Sequence, residues 1–181
     1  MDILRQLQQE LKVATNPEKA KISQRYFKTG KGEYGEGTKF IGVDTGIKRK
    51  LAKKYVDLEL SDIEKLLNNK IHDYRFVALI ILNNKFRKAG GKIQKKIFNL
   101  YLRNTKNINN WDLVDLSAHK IVGLHLLNKN TDILMKLAKS KSLWERRIAV
   151  LATFQFIKNK QYSDSLEIAE ILLNDEHDLI H

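Results

Sequence analysis

Apolar residues along this chain recur three and four positions apart, the spacing that gathers them on one side of a helix. The pattern predicts helices over 48–55, 62–67, 75–86, 92–103, 110–128, 132–139, 143–158 and 166–173, joined by connections of a few residues. The opening "MDILRQLQQELK" adds an amphipathic start of mixed charge. No segment alternates apolar and polar residues with a period of two, so no strand is predicted. The helix breakers agree: Pro17 is the only proline, and six of the nine glycines fall between Gly30 and Gly46. Almost everything after Lys48 can therefore be helix.

Two stretches repeat one another. "DIEKLLNNKIHDYRFVALIIL" from Asp62 and "DILMKLAKSKSLWERRIAVLA" from Asp132 each contain a short helix, a polar break, an aromatic, an arginine and a second apolar helix carrying Ala78 or Ala149. Tyr74, Trp111 and Trp144 open successive second helices, 37 and then 33 residues apart. Two helices per unit at such a period predict an all-α fold, a right-handed α-solenoid of HEAT-like helix hairpins, with residues 1–181 as one domain. The spacing would also admit TPR-like units, whose sequence pattern is absent. "LLNNKIHD" leads into the helix at 75–86, and "LLNDEHD" repeats that lead-in just ahead of His181. The last repeat is thus expected to be incomplete, the chain apparently truncated at its C-terminus, and the unfinished end prone to fray.

Composition narrows the function classes. Hydrophobic residues make up 43% and charged residues 30% of the chain, a globular balance. The longest apolar run, 76–82, falls far short of the ~18 residues that read as a membrane span. No apolar signal region opens the sequence, and the absence of cysteine rules out disulfides and thiolate metal sites. A cytoplasmic, nucleoid-associated monomer is expected. The net charge of +12 makes a polyanion the first partner to consider. The plain alternative is a solvated lysine surface reflecting A/T-rich coding.

Candidate chemistry concentrates in "NNWDLVDLSAHKIVG", residues 109–123. On a helical wheel Leu113, Leu116, Ile121, Leu124 and Leu127 share one side, while Trp111, Asp115, Ala118, Val122 and Leu126 form a stripe roughly opposite, away from the main core. Asn110 can serve as N-cap, and first-turn acids complement the helix dipole. That accounts for Asp112 and Asp115 but not for an indole beside them. "SLWERRIAV" presents Arg146 and Arg147, either a solvated pair or a phosphate clamp, with adjacent positions 100° apart so that only one lies centrally on a given face. "GKGEYG", 30–35, has glycine spacing like a nucleotide loop but neither the strand before nor the helix after. His177 and His181 stand at i and i+4 without a third ligand, so no metal is expected. His119 could hydrogen-bond to Asp115 or simply face solvent.

In order along the chain, "GEGTKFIGV", "IKRKLAKKY", "HDYRFVALIIL", "NNWDLVDLSAHKIVG", "SLWERRIAVLATFQFIK" and "LLNDEHDLI" resemble the bacterial DNA alkylation repair family, the AlkD-type HEAT-like DNA glycosylases. The likeness covers nearly all of residues 20–181. It implies hydrolysis of the N-glycosidic bond of N3- or N7-alkylated purines in double-stranded DNA, with no metal or organic cofactor. The family's catalytic aspartate would fall on Asp115, its cleft tryptophan on Trp111, and its backbone-binding arginine on Arg147, or on Arg146 in a register shifted by one. "GVDTGIKR" resembles the family's early DNA-contacting turn, implying phosphate contacts from Thr45 and Arg49, and Tyr26 of "QRYFK" would border the cleft. Gly46 stands where proline is common, Asp44 adds a negative charge, and the second cleft tryptophan has no counterpart. The alternative reading is a noncatalytic DNA-binding HEAT-like repeat protein; a scaffold for acidic protein partners is a third.

Overall fold

Helices follow one another through the computed structural model, which describes residues 2–181. They are α1 (Ile3–Val13), α2 (Pro17–Tyr26), α3 (Thr45–Lys54), α4 (Leu60–Leu67), α5 (His72–Lys88), α6 (Gly91–Arg103), α7 (Trp111–Ala118), α8 (Leu124–Leu126), α9 (Asp132–Ala138), α10 (Leu143–Lys158) and α11 (Ser163–Leu172). The described residues contain no strand, only an isolated bridge between Lys39 and Ile71. The fold is all-helical. It divides into two compact units, Met1–Lys88 and Ala89–His181.

In the first unit, Asp2 caps α1 by accepting a hydrogen bond from the Leu4 amide, and Leu4, Leu7 and Leu11 form the buried stripe of that helix. Helix α2 was not among the predicted segments. Asn16 accepts from the Lys19 amide at 3.0 Å and Pro17 occupies the first turn, where its missing N–H costs nothing. The glycine-rich segment that follows forms turns closed by its own acids: Glu33 accepts from Gly30 N at 2.6 Å and Glu36 from Gly32 N at 2.9 Å. Amides that a phosphate loop would present are already taken. Helices α3 and α4 both pack on α5, which is buried on all sides from His72 to Leu82. A helix covered all round needs no polar face, which is why its apolar run lacks a clear period.

Asp73, 1% exposed, organises the turn ahead of α3. Its carboxylate accepts from Ile41 N at 2.9 Å and Val43 N at 3.2 Å, and Lys48 Nζ lies 3.4 Å away. Lys48 also sits over the Phe76 ring, 4.5 Å from its centroid. Gly42 between the two amides has φ +74°, and a Cβ there would meet Asn16 O at 2.1 Å. Glycine is required at that crossing.

In the second unit α10 is the central element, packing on α7, α9 and α11. The continuous helix expected over 110–128 is broken: α7 ends at Ala118, a π-helical turn runs His119–Gly123, and one last α turn, α8, follows. The added residue rotates everything downstream, so Leu124, expected in the core, is 39% exposed. The expected outward stripe is also corrected. Ala118 and Val122 are fully buried and Leu126 nearly so, because α10 covers that side of α7 and the π turn. Gly123 makes the approach possible: a Cβ there would stand 2.4 Å from Ala152 O. Only Trp111 and Asp115, at the upstream end of the stripe, remain half-exposed.

Candidate functional site

Trp111 is the first residue of α7 and Asp115 follows one turn later. Asn110 stands at the N-cap with extended backbone angles but makes no capping hydrogen bond through its side chain, so the expected cap is provided by position alone. Of the three aromatics that open second helices, Tyr74 and Trp144 are buried, at 3% and 8% exposure. Trp111 is the one left partly open.

The parallel run of α10 beside α7 brings Arg147 onto Asp115. Arg147 Nε donates to Asp115 Oδ1 and Nη2 to Oδ2, both at 2.7 Å, a bidentate fork on the carboxylate. Its remaining nitrogen, Nη1, donates to the Leu179 carbonyl. The Asp115 side chain keeps 35% exposure, so its oxygens are still reachable from solvent.

Arg146, the neighbour in sequence, is engaged in architecture. It donates to Asp175 from Nε at 2.5 Å and from Nη2 at 3.2 Å, and from Nη1 to the Ser140 and Lys141 carbonyls at 3.1 Å. The Arg146 guanidinium holds the Asp175 carboxyl below its ordinary pKa. Arg75 Nη1 reaches back six residues to Asn69 O at 3.1 Å, the contact that Arg146 makes with Ser140, also six residues back. The two arginines are equivalent positions of the repeat, and Arg147 is the additional one.

The end expected to fray is tied instead. Besides the two arginine contacts, Asp175 accepts from His177 N at 3.0 Å, His177 Nδ1 accepts from Leu179 N at 3.1 Å, and His181 Nε2 lies 2.9 Å from Asp175 O. Both histidines of the i, i+4 pair are thus used in holding the turn. No group of three or more His, Cys, Asp or Glu able to hold a metal ion occurs among the described residues.

Beneath Asp115, the Ser117 hydroxyl donates to Leu113 O at 2.5 Å and lies 3.0 Å from the hydroxyl of the fully buried Tyr101. Burial pushes the Tyr101 hydroxyl far above its ordinary pKa, so it stays a proton donor. His119 is half-buried, and burial, helped by the charge of Lys120, lowers its pKa, while Asp115, through its backbone and its charge, acts in the opposite sense. The ring is neutral at neutral pH.

The remaining predicted residues lie in the first unit. Thr45 opens α3 and Arg49 follows one turn on, both exposed. Asp44 has a structural purpose that its sequence left unread: it caps α3 by accepting from Gly46 N at 2.8 Å and pairs with Lys19 at 2.9 Å. Tyr26 is 62% exposed and meets Phe27 edge-on, with centroids 5.0 Å apart. Asp73, which organises the turn ahead of α3, and Gly123, which lets α10 approach the π turn, were missed. Asp73 acts on amides 30 and 32 residues away, a pairing with no local signal.

A family model described as DNA alkylation repair enzyme matches residues 7–181, nearly the whole chain. No curated protein matches it. No helix is long and apolar enough to cross a membrane among the described residues.

Proposed function

This chain belongs to the DNA alkylation repair enzyme family, and we propose that it is a monofunctional DNA glycosylase releasing N3- or N7-alkylated purines from duplex DNA, acting as a monomer. The observation that carries the proposal is the partly open Trp111–Asp115 stripe with Arg147 forked onto the carboxylate. An alkylated purine of this kind already bears a positive charge, so it departs as a neutral base when the C1′–N bond breaks and takes the bonding electrons. Positive charge then develops on the sugar as an oxocarbenium ion. Asp115 stabilises that charge and orients the water whose oxygen bonds to C1′, accepting the proton that the water loses.

Trp111 packs against the sugar and limits water around the carboxylate, which strengthens its field. Arg147 has two partners to choose between. Free of DNA it holds Asp115; against a backbone phosphate it exchanges one anion for another and leaves the carboxylate to the sugar. Arg146, occupied by Asp175 and two carbonyls, acts by holding the start of α10 in place. Thr45, Arg49 and Tyr26 extend the contact to DNA in the first unit. No metal or organic cofactor enters these steps.

The test is release of 7-methylguanine and 3-methyladenine from methylated duplex by the wild-type chain, by Asp115→Asn and by Arg147→Gln. Asp115→Asn should lose at least about a hundredfold in rate, the scale of removing a group that stabilises transition-state charge. Equal rates in wild type and Asp115→Asn would remove Asp115 from the mechanism. The closed Asp115–Arg147 pair also suits a noncatalytic DNA-binding protein, for which the wild type would bind duplex and release no base.

A further inference from the structure

We infer that copies of this chain associate off DNA, the outward face of α11 on one copy seating in an apolar groove between α1 and α3 on another. Neither surface includes Trp111, Asp115 or Arg147, and those three come from a single chain. The contact therefore goes beyond the catalytic reading and leaves the acting unit a monomer.

Helix α11 buries Ile168 and Leu172 on its inner side. Tyr162, Leu166, Ala169 and Leu173 recur at helical spacing on another side and are all exposed, Leu166 and Leu173 to 68%. Single exposed apolar side chains are ordinary, but a contiguous stripe marks an interaction surface. Glu167 and Glu170 flank it, and neither makes an ion pair among the described residues. The helix dipole does not explain Glu170, which lies in the last turn, where a negative charge is disfavoured. Residues 163–181 hold six of the 21 acids and no lysine or arginine, in a chain of net charge +12. Such a face repels DNA, and two of them repel each other.

The complement lies in the first unit. Ile47, Lys50, Leu51 and Lys54 share one face of α3, across a groove of about 620 Å³ from Glu10 and Val13 of α1. Val13 and Ile47 are left exposed. Glu10 is already satisfied, taking Lys54 Nζ and the Tyr55 hydroxyl at 2.6 Å each. Lys50 makes no ion pair among the described residues. The groove thus offers apolar walls and an open cation, and α11 offers an apolar stripe and open acids. Burial of the leucines drives the contact, and Lys50 facing Glu167 or Glu170 sets its direction. The two patches differ, so the contact is heterologous and further copies can add. One helix in one groove falls below the about 1,200 Å² of stable complexes, so the association is transient.

The experiment is analytical ultracentrifugation of the nuclease-treated full chain, free of DNA, from about 1 µM to about 1 mM. The wild-type mass should rise with concentration past that of a dimer, and the association should weaken as salt screens exposed charges. A helix variant, Leu166→Ser/Glu170→Lys, and a groove variant, Ile47→Ser/Lys50→Glu, should each associate at least about tenfold more weakly alone. Mixed, they should regain wild-type affinity and stop at a dimer, because the helix variant keeps an intact groove and the groove variant an intact α11. Circular dichroism checks that both are folded; Leu173→Ser and Lys50→Gln replace a variant that is not. Wild type that stays monomeric throughout overturns the contact, and with it any docking of α11 on another copy. Loss in only one variant, or no recovery on mixing, means that another pair of surfaces meets and likewise overturns it.

Discussion

Gly123→Ala tests the mechanical basis of the Asp115 site. A Cβ at 123 would lie 2.4 Å from Ala152 O and 3.0 Å from Gln155 Cβ, whereas carbon and carbonyl oxygen ordinarily approach to roughly 3.4 Å. The π turn and α10 must therefore part by about 1 Å. Neither side yields cheaply, since the obstructing atom is backbone within a helix. Overpacking of this sort costs ~1–3 kcal/mol, partly offset by the better helix propensity of alanine, at most about 1 kcal/mol. A net loss of about 1–2 kcal/mol lowers the melting temperature by roughly 2–8 °C for a chain of this length. The same wedge acts one to two turns downstream of Arg147 and Asp115 on the two parallel elements, so base release should slow as well. Gly91→Ala is the control: nothing lies within 4 Å of a Cβ there, at the first residue of α6, and stability should hold or rise by up to about 1 kcal/mol. Thermal unfolding followed by circular dichroism reads both variants. If Gly123→Ala melted within about 1 °C of wild type and kept its activity, close packing of the π turn on α10 would not be what places the site.

Asp73→Ala should loosen the turn that leads into α3, leaving the Ile41 and Val43 amides and the buried Lys48 ammonium without their acceptor; the expected loss is ~3–5 kcal/mol, as for other broken buried pairs. Amide hydrogen exchange should localise the loosening to 41–48, and protection there equal to wild type would refute it. Acid should destabilise the second unit. His119 and His125 both have pKa values lowered chiefly by burial, His125 lying against the Phe98 ring, so below their ordinary value of 6.5 the unfolded chain binds protons that the folded chain refuses. Melting temperature should fall as pH drops through 6.5, and less so in His119→Gln/His125→Gln; identical pH profiles would show that these rings do not contribute.

Much of the fold was legible because helices announce themselves through periodicity and punctuation. The segment 92–103 became Gly91–Arg103 and 143–158 became Leu143–Lys158 without change of character. Helix α2 was missed although Asn16 and Pro17 form a start signal, because its ten residues bury no side chain and so carry no apolar stripe. The break in 110–128 was missed for a different reason. A π turn depends on what presses against it, here Ala152 O on a helix some thirty residues later in the chain, and a helical wheel assumes the regularity that the contact removes. The half-exposed Trp111 and Asp115 survived this error because they lie upstream of the turn, where the wheel still holds.

The arginine doublet shows how a repeat can separate architecture from function. Arg75 and Arg146 each reach back six residues to a carbonyl of the preceding turn, and they lie 71 residues apart, as do Ala78 and Ala149. Aligned that way, Arg147 replaces Phe76, a core residue 7% exposed. A charged side chain where the repeat elsewhere buries an aromatic ring gains nothing from packing, and the structure supplies it with a carboxylate on the adjacent helix instead. Pairing Arg147 with Asp115 resolves the cost of both charges at once, yet a purely structural pair could be replaced by apolar residues with little loss. Two partly open charges beside a half-buried indole suit the exchange of partners proposed above. The residue that breaks the repeat, rather than those that conform to it, is therefore the stronger pointer to chemistry in this chain.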